Sequence, residues 1–365
     1  MMGGKATIKL SIIIANYNYC DFVGAAIESA LAVDWPDKEV IIVDDASTDA
    51  SRDIIQGFCD RVTAYFRPKS HQLGAHIFGF EQSSGEIIIF LDSDDLLEPE
   101  VMREIAKVWR PGVAKVQYRM NLIDATGAQL GSAIPQFPPK EDPKKLRRAF
   151  LRTMAYTTPP GSGNAYSRDF VRNVFAFEPT IPQSDASLLT LAPILGDVLT
   201  IRKPLGRYRI HDASYGGMRS LDVSKLRKQL YQDVEKARLF AKVCGQLAVP
   251  VRNDPLRYNM NHLQYRIASY LVEPSAHPFP EDTKSGLVYR LVLSATLSSM
   301  RLRDRAILVA WTIGCTLGPP SFRRTFVMWR FAVQSRPRMI KALLAVLSSL
   351  RTPLLPDRSG TARGQ

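Results

Sequence analysis

The chain has 365 residues, of which 45% are hydrophobic, 23% charged and 9% aromatic, with a formal net charge of +13. Such a composition is globular and suits about two or three domains, which excludes disorder and collagen-like structure. No run approaches the ~18 apolar residues of a membrane span, and the stretch behind Met1-Met2-Gly3-Gly4 is too short for a secretory signal. Cys20, Cys59, Cys244 and Cys315 lack any Cys-x-x-Cys spacing. A cytoplasmic protein with buried, reduced thiols is therefore expected, without disulfides or a cysteine-zinc site.

Residues 10–15, Leu-Ser-Ile-Ile-Ile-Ala, form a β-branched run suited to a buried parallel strand. Residues 21–32 follow with Phe22, Ala25, Ala26, Ser29 and Ala30 at helical spacing. Residues 39–43 read as a second strand that ends in Asp44-Asp45. Asp49 or Ser51 is placed to cap a helix carrying Ile54, Ile55 and Phe58. Residues 62–66 read as a third strand, 75–82 as a helix and 86–91 as a fourth strand running into Asp92-Ser93-Asp94-Asp95; Pro99 opens a helix to about Trp109. Strands alternating with helices at this spacing predict an α/β fold, a mostly parallel Rossmann-like sheet with helices on both faces. Ligands of such sheets bind at the carboxyl ends of the strands. Asn16-Tyr17-Asn18, Asp44-Asp45 and Asp92-Ser93-Asp94-Asp95 all fall there.

Past residue 220, Val223, Leu226, Leu230, Val234 and Ala237 recur at helical spacing and predict an amphipathic helix packed on the preceding domain. Residues 263–272 and 286–297 read as further helices. The expected division is a first domain over 1–220 and an all-α extension over 221–365. Two apolar stretches, 306–317 and 342–350, are too short to span a bilayer. From Thr296 onward twelve Lys and Arg oppose only Asp304 and Asp357, so +10 of the net charge lies in this tail. Trp311, Phe322, Phe326, Trp329 and Phe331 stand among those arginines, a pattern that suits a surface lying on the anionic inner membrane. A helical bundle with a solvated basic face is the alternative. Nucleic acid is not expected, because no recognised fold or zinc motif supports it.

The acid clusters carry the chemistry. Carboxylates packed within four residues repel one another unless a cation sits between them, and Mg²⁺ or Mn²⁺ is typically held by one or two carboxylates plus substrate phosphates. Asp92-x-Asp94-Asp95 thus suits a metal–diphosphate site, against the plainer reading that the acids cap the next helix. Asp44-Asp45 before Ala46-Ser47-Thr48-Asp49 is equally consistent with turn chemistry. Tyr17 by itself is equally consistent with packing. No Gly-x-Gly-x-x-Gly or Gly-x4-Gly-Lys-Ser/Thr is present, so dinucleotide and P-loop readings lose their support.

Together, residues 11–18, 39–49 and 85–95 closely resemble the family 2 glycosyltransferases. The resemblance implies a GT-A fold, a nucleotide-diphosphate sugar donor and a divalent cation, Mn²⁺ or Mg²⁺. By position, Ala15 and Tyr17 would frame the base, and Asp45 would hydrogen-bond it with Asp44 beside it. Asp92 would lie near the ribose or the metal, Asp94 would hold the metal, and Asp95 completes the cluster. Residues 1–120 would form the nucleotide-sugar half and 121–220 the acceptor half. Gly161-Ser162-Gly163-Asn164-Ala165-Tyr166-Ser167-Arg168 resembles the segment that closes on the donor. In Ser184-Asp185, similar to the family's Glu-Asp pair, Asp185 takes the place of the general base while Ser184 departs from the usual Glu. Tyr208-Arg209-Ile210-His211 resembles the family's closing Tyr-Arg-x-His. His211 there is a third contact to metal or diphosphate, or else a buried histidine. His76-Ile77 stands where many members have Arg-Asn, and the Gln-x-x-Arg-Trp of processive synthases is absent, which favours one sugar per encounter. The expected activity is inverting transfer to a hydroxyl of a lipid-linked or growing saccharide, as in cell-surface polysaccharide synthesis. A sugar nucleotidyltransferase would need an early Gly-rich phosphate loop, and a catalytically silent nucleotide- or membrane-binding scaffold would not need the intact acids. His71, His76, His262 and His277 show no ligand spacing and are read as structural or solvated.

Overall fold

The computed structural model describes residues 8–138, 141–177, 184–211, 223–297, 302–331 and 337. β1 (Leu10–Asn16), β2 (Lys38–Asp45), β3 (Thr63–Arg67) and β4 (Ile87–Asp92) run parallel in the order β3-β2-β1-β4. Both faces of this half are buried. Ile12 and Ile14 pack with Val23 and Ile27 of α1 (Cys20–Leu31) and Ile55 of α2 (Ser51–Gln56), whereas Ile13 joins Phe80 of α3 (His71–Gln82) in a second core. That is why β1 reads as a continuous apolar run with no alternation. α3 lies close on the sheet: a Cβ on Gly79 would stand 2.5 Å from Ile13 Cγ2, so only glycine fits there. α4 (Val101–Val108) adds Val101, Met102 and Ile105 to the first core.

The sheet continues through β7 (Asn164–Ser167), β6 (Val113–Ile123), β8 (Asp197–Arg209) and β5 (Leu96–Leu97) to eight strands, in the order β7-β6-β8-β5. β7 is antiparallel to both β4 and β6, while β8 runs parallel to β6. β7 therefore delivers the tight turn before it, Gly161–Gly163, to the carboxyl end of β4. α5 (Pro143–Thr153), α6 (Arg168–Ala176) and α7 (Ser184–Leu195) pack on the second face.

Three helices follow, α8 (Val223–Gln246), α9 (Met260–Val272) and α10 (Lys284–Leu297). Leu239 and Val243 of α8 enter the second core beside Phe170 and Val171, and Leu226 and Leu230 are also buried. The described residues up to 297 make one compact unit, and those from 302 onward make another. In the latter, α11 (Leu302–Leu317) and α12 (Pro320–Phe331) are tied by Trp311 Nε1, which donates to the Phe326 carbonyl at 2.9 Å. The apolar stretch 342–350 lies outside the described residues.

Two sequence readings need correction. Only Cys244 and Cys315 are buried; Cys20 is half-buried and Cys59 exposed, because α2 ends short of Cys59 and leaves it on a surface turn. Neither Asp49 nor Ser51 is the N-cap of α2. Ala50 holds that place, and Asp49 instead accepts from the backbone N–H groups of Ser51 and Cys20, tying α2 to the start of α1.

Candidate active site

The ends of β1 and β2 are locked together by side chains. Asn16 Nδ2 donates to Asp44 Oδ2 at 3.0 Å and to Ser47 Oγ at 3.1 Å, and the Ser47 N–H donates to Asp44 Oδ1 at 3.0 Å. Asp44 is fully buried and holds this turn. Asp45 accepts from the Ser70 N–H and from Ser70 Oγ at 2.8 Å, and Lys69 Nζ stands 3.3 Å from its other oxygen. The same ammonium lies over the ring of Tyr17, which is 42% exposed. Ala15 is half-buried, and its carbonyl accepts from Ser93 Oγ at 2.7 Å. Ala15, Tyr17 and Asp45 thus share one rim of the strand ends.

The end of β4 carries the acids. Asp92 Oδ1 accepts from Gln72 Nε2 at 3.0 Å, and Ser162 Oγ lies 3.4 Å from Oδ2. Ser162 Oγ also accepts from the Asp92 N–H at 3.0 Å, so the Gly161–Gly163 turn is pinned to the strand end. Asp94 Oδ2 meets His211 Nε2 at 2.9 Å. His211 itself is packed between Phe22 and Tyr19 at ring distances of 4.8 and 5.9 Å. Asp95 is fully buried, and its Oδ1 accepts from the Arg209 N–H at 2.9 Å. Arg209 clamps this corner, its Nε donating to the Asp94 carbonyl at 2.8 Å and its Nη1 to the carbonyls of Asp124 and Ala125.

Asp185, in the first turn of α7, reaches the same place from the other side. A Cβ on Gly161 would lie 3.2 Å from Asp92 Oδ2 and 3.8 Å from Asp185 Oδ2. The two carboxylates therefore flank one glycine, and any side chain there would crowd Asp92.

Burial dominates the electrostatics. It pushes the Asp92 carboxyl up to about 8, with the charges of Asp94 and Asp185 adding to the effect. Burial also raises Asp95, again with Asp94 adding. Burial raises Asp185 too, against the opposing charge of Lys236 on α8. Acids that are buried together and repel one another are the setting that a bound cation relieves. Among the described residues no three His, Cys, Asp or Glu side chains form a closed metal cage. Asp94 and His211 form a two-donor site, and Asp92 is turned toward Gln72 and Ser162. Two protein donors suffice where substrate phosphates complete the shell, so the residues fit a divalent cation.

Gln72, Ser70 and Lys69 hold the acids, and sequence reasoning passed over them. Gln72 lies one helical turn before His76, the position singled out as unusual. His76 is buried, its ring 4.4 Å from that of Phe90, and burial lowers its pKa to about 3. The remaining histidines with clear contacts are structural: His262 Nδ1 meets Asp233 at 3.1 Å and His277 Nε2 meets Asp282 at 3.0 Å.

A parallel half-sheet joined through an antiparallel strand, with acids at the junction, is the GT-A arrangement. TarS of S. aureus, crystallised with UDP-GlcNAc, shares it with a TM-score of 0.52 over 91% of this chain and 93% of that one, at 15% identity, a likeness of fold alone. Residues 11–175 match the sequence model of Glycosyl transferase family 2. An uncharacterized glycosyltransferase of Nostoc is 34% identical over 215 residues, 57% of this chain and 66% of that protein. A Campylobacter jejuni protein named as a β-1,3-glucosyltransferase of GalNAc(5)-diNAcBac-PP-undecaprenol is 32% identical over 114 residues, 30% of this chain and 37% of that one. These matches span less than two thirds of the relatives' own lengths.

Proposed function

We propose that this chain is an inverting glycosyltransferase that moves one sugar from a nucleotide-diphosphate sugar to a hydroxyl of a lipid-linked or growing saccharide. The reading rests chiefly on Asp92 and Asp185 flanking Gly161 beside the Asp94–His211 pair. In it, residues 1–120 hold the donor and 121–220 the acceptor. Ala15 and Tyr17 frame the base at the exposed rim. Ser70 occupies Asp45 Oδ1, and Oδ2, beside the Lys69 ammonium at 3.3 Å, has a further lone pair for a base N–H. Asp94 and His211 would hold a Mn²⁺ or Mg²⁺ ion, which when bound would neutralise charge on the diphosphate.

The acceptor oxygen attacks the anomeric carbon as the bond to the phosphate oxygen breaks. That electron pair leaves with the nucleoside diphosphate, and the hydroxyl proton passes to Asp185. Attack opposite the leaving group inverts the anomeric centre. Burial raises Asp185, which makes its carboxylate a stronger base than one in water. The Campylobacter relative's name supports a polyprenyl-linked acceptor. The basic tail supports work at the anionic inner face of a membrane, and no helix among the described residues is long and apolar enough to cross one.

Hydrolysis across a panel of sugar nucleotides with Mn²⁺ identifies the donor. With that donor, Asp185→Asn is expected to keep donor affinity and slow transfer by ~10²-fold or more. Transfer near the parent rate with donor affinity intact would put the base elsewhere.

A further inference from the structure

α11 carries apolar side chains on its exposed face as well as on its buried one. Its buried face carries Leu308 and Trp311 but also Thr312, Cys315 and Thr316. The two threonine hydroxyls are satisfied only by donating back along the helix, Thr312 Oγ1 to the Leu308 carbonyl at 2.8 Å and Thr316 Oγ1 to the Thr312 carbonyl at 2.7 Å. The exposed face is Ala306, Ala310, Ile313 and Leu317, a stripe at the 3–4 spacing of one helix side. Ile313 is 49% exposed and Leu317 78%, and Phe322, just past the turn into α12, is 56% exposed. A solvated helix puts its polar side outward. Large apolar side chains grouped on an outer face mark a surface that meets something apolar.

Charge selects what that is. Arg324 and Arg330 are exposed on α12, and Arg323 holds the turn by donating from Nε to the Gly318 carbonyl at 3.3 Å. Residues 301–331 carry six arginines against the single acid Asp304. An apolar stripe bordered by arginines and flanked by Trp and Phe matches an anionic bilayer surface, into which such a helix sinks its apolar side at the headgroup boundary. A protein partner would have to offer both an apolar groove and excess acid.

We propose that the Ala306–Ala310–Ile313–Leu317 face of α11, together with Phe322, is the part of this chain that inserts into an anionic membrane surface. The proposal rests on the reading that the chain works at such a surface and names the residues that enter it. The arginines bring the helix to the bilayer, and the stripe then leaves water. The inserted side chains take no part in the chemistry at Asp185, so turnover of a soluble donor and acceptor is unaffected by their replacement.

The test is co-sedimentation of the full chain with phosphatidylcholine vesicles, with and without phosphatidylglycerol. The parent is expected to bind only the anionic vesicles. Ile313→Asp combined with Leu317→Asp should lower the partition coefficient at least about tenfold while the melting temperature holds, since both positions are exposed. Equal binding by this variant overturns the insertion face and leaves the membrane reading standing; no binding by the parent overturns both. A second variant, Phe322→Trp, places a reporter at the turn, read as the difference from the parent. Its emission should shift to the blue, and be quenched by brominated lipid, only when anionic vesicles are added. A blue-shifted signal without vesicles, or a parent dimer that the double variant dissociates in sedimentation velocity, would mean that the stripe is covered by another part of this chain or by a second copy, and would overturn the proposal.

Discussion

Asp94 is held at two points with different consequences. Its carbonyl accepts from Arg209 Nε, and its carboxylate meets His211. Replacing the side chain leaves the first contact, and with it the corner where β5 and β8 pair. Asp94→Ala is therefore expected to fold with an unchanged melting temperature. Nucleoside diphosphate affinity in the presence of Mn²⁺ should fall at least about tenfold, because one of the two proposed metal donors is gone. Calorimetry with and without the metal reads this directly. Equal, metal-dependent affinity in variant and parent would remove Asp94 from the site. Asp95 does a different job one residue on. It is fully buried and spends Oδ1 on the Arg209 backbone, so it secures the strand end on which Asp94 is displayed.

At the scale of elements, β6 decides where the closing turn sits. Lys115 Nζ donates to Tyr156 Oη and Thr158 Oγ1, both at 2.9 Å, and Tyr156 Oη in turn donates to the Leu189 carbonyl on α7. Gln117 Nε2 donates to the Thr157 carbonyl, and Tyr118 Oη to the Ser162 carbonyl at 2.7 Å. One strand thus fastens both the segment that carries Gly161 and the helix that carries Asp185. Lys115 is fully buried, and burial holds its ammonium well below the usual lysine range, against the pull of Glu141. Lys115→Met keeps the chain length and leaves the Thr158 hydroxyl without its donor. Urea unfolding should show a loss of about 1 kcal/mol, the net worth of a hydrogen bond lost at a half-buried hydroxyl. Transfer should fall more than donor affinity does, since the donor rim on β1 and β2 is untouched; unchanged unfolding and unchanged transfer would show that β6 does not hold the turn. The same strand explains what the sequence left hidden. β1, β2 and β4 are buried on both faces, β1 running into Asn16 and β2 and β4 ending in acids, so their pattern alone marks them and their ends. β6 interrupts its apolar run with Lys115, Gln117 and Arg119, and β8 carries Arg202, Lys203 and Arg207, so neither reads as a core strand. Their pairing is set by tertiary hydrogen bonds that no local period encodes. The acids were legible for the same reason, while Gln72 and Ser70, which orient them, sit in α3 and its approach with nothing local to distinguish them.

Across the whole molecule, groups inside the cleft and outside it tie stability to pH, and they do so in opposite directions. Burial holds His76 at about 3, below its ordinary 6.5, so between those values the unfolded chain takes a proton that the folded chain refuses. Its contribution is complete above 6.5 and is lost as pH falls toward 3. Asp282 behaves alike lower down. Burial pushes it up, but hydrogen bonds from His277 and Arg266 outweigh that and hold it at about 2, so its contribution is lost only as pH falls from 3.8 toward 2. Asp92, raised to about 8, has the reverse sign: what it contributes is present below 3.8 and is lost as pH rises through 8. The slopes overlap, so the parent's profile alone cannot assign them, whereas the difference between parent and variant can. His76→Phe fills the space beside Phe90 with another ring and removes the titration. Urea unfolding at pH 7, 5.5 and 4.5 should show the parent losing up to about 1.4 kcal/mol per pH unit more than the variant across that window. Parallel lines would show that His76 takes up its proton without unfolding the second core, and that the helix bearing Gln72 yields locally before the molecule does.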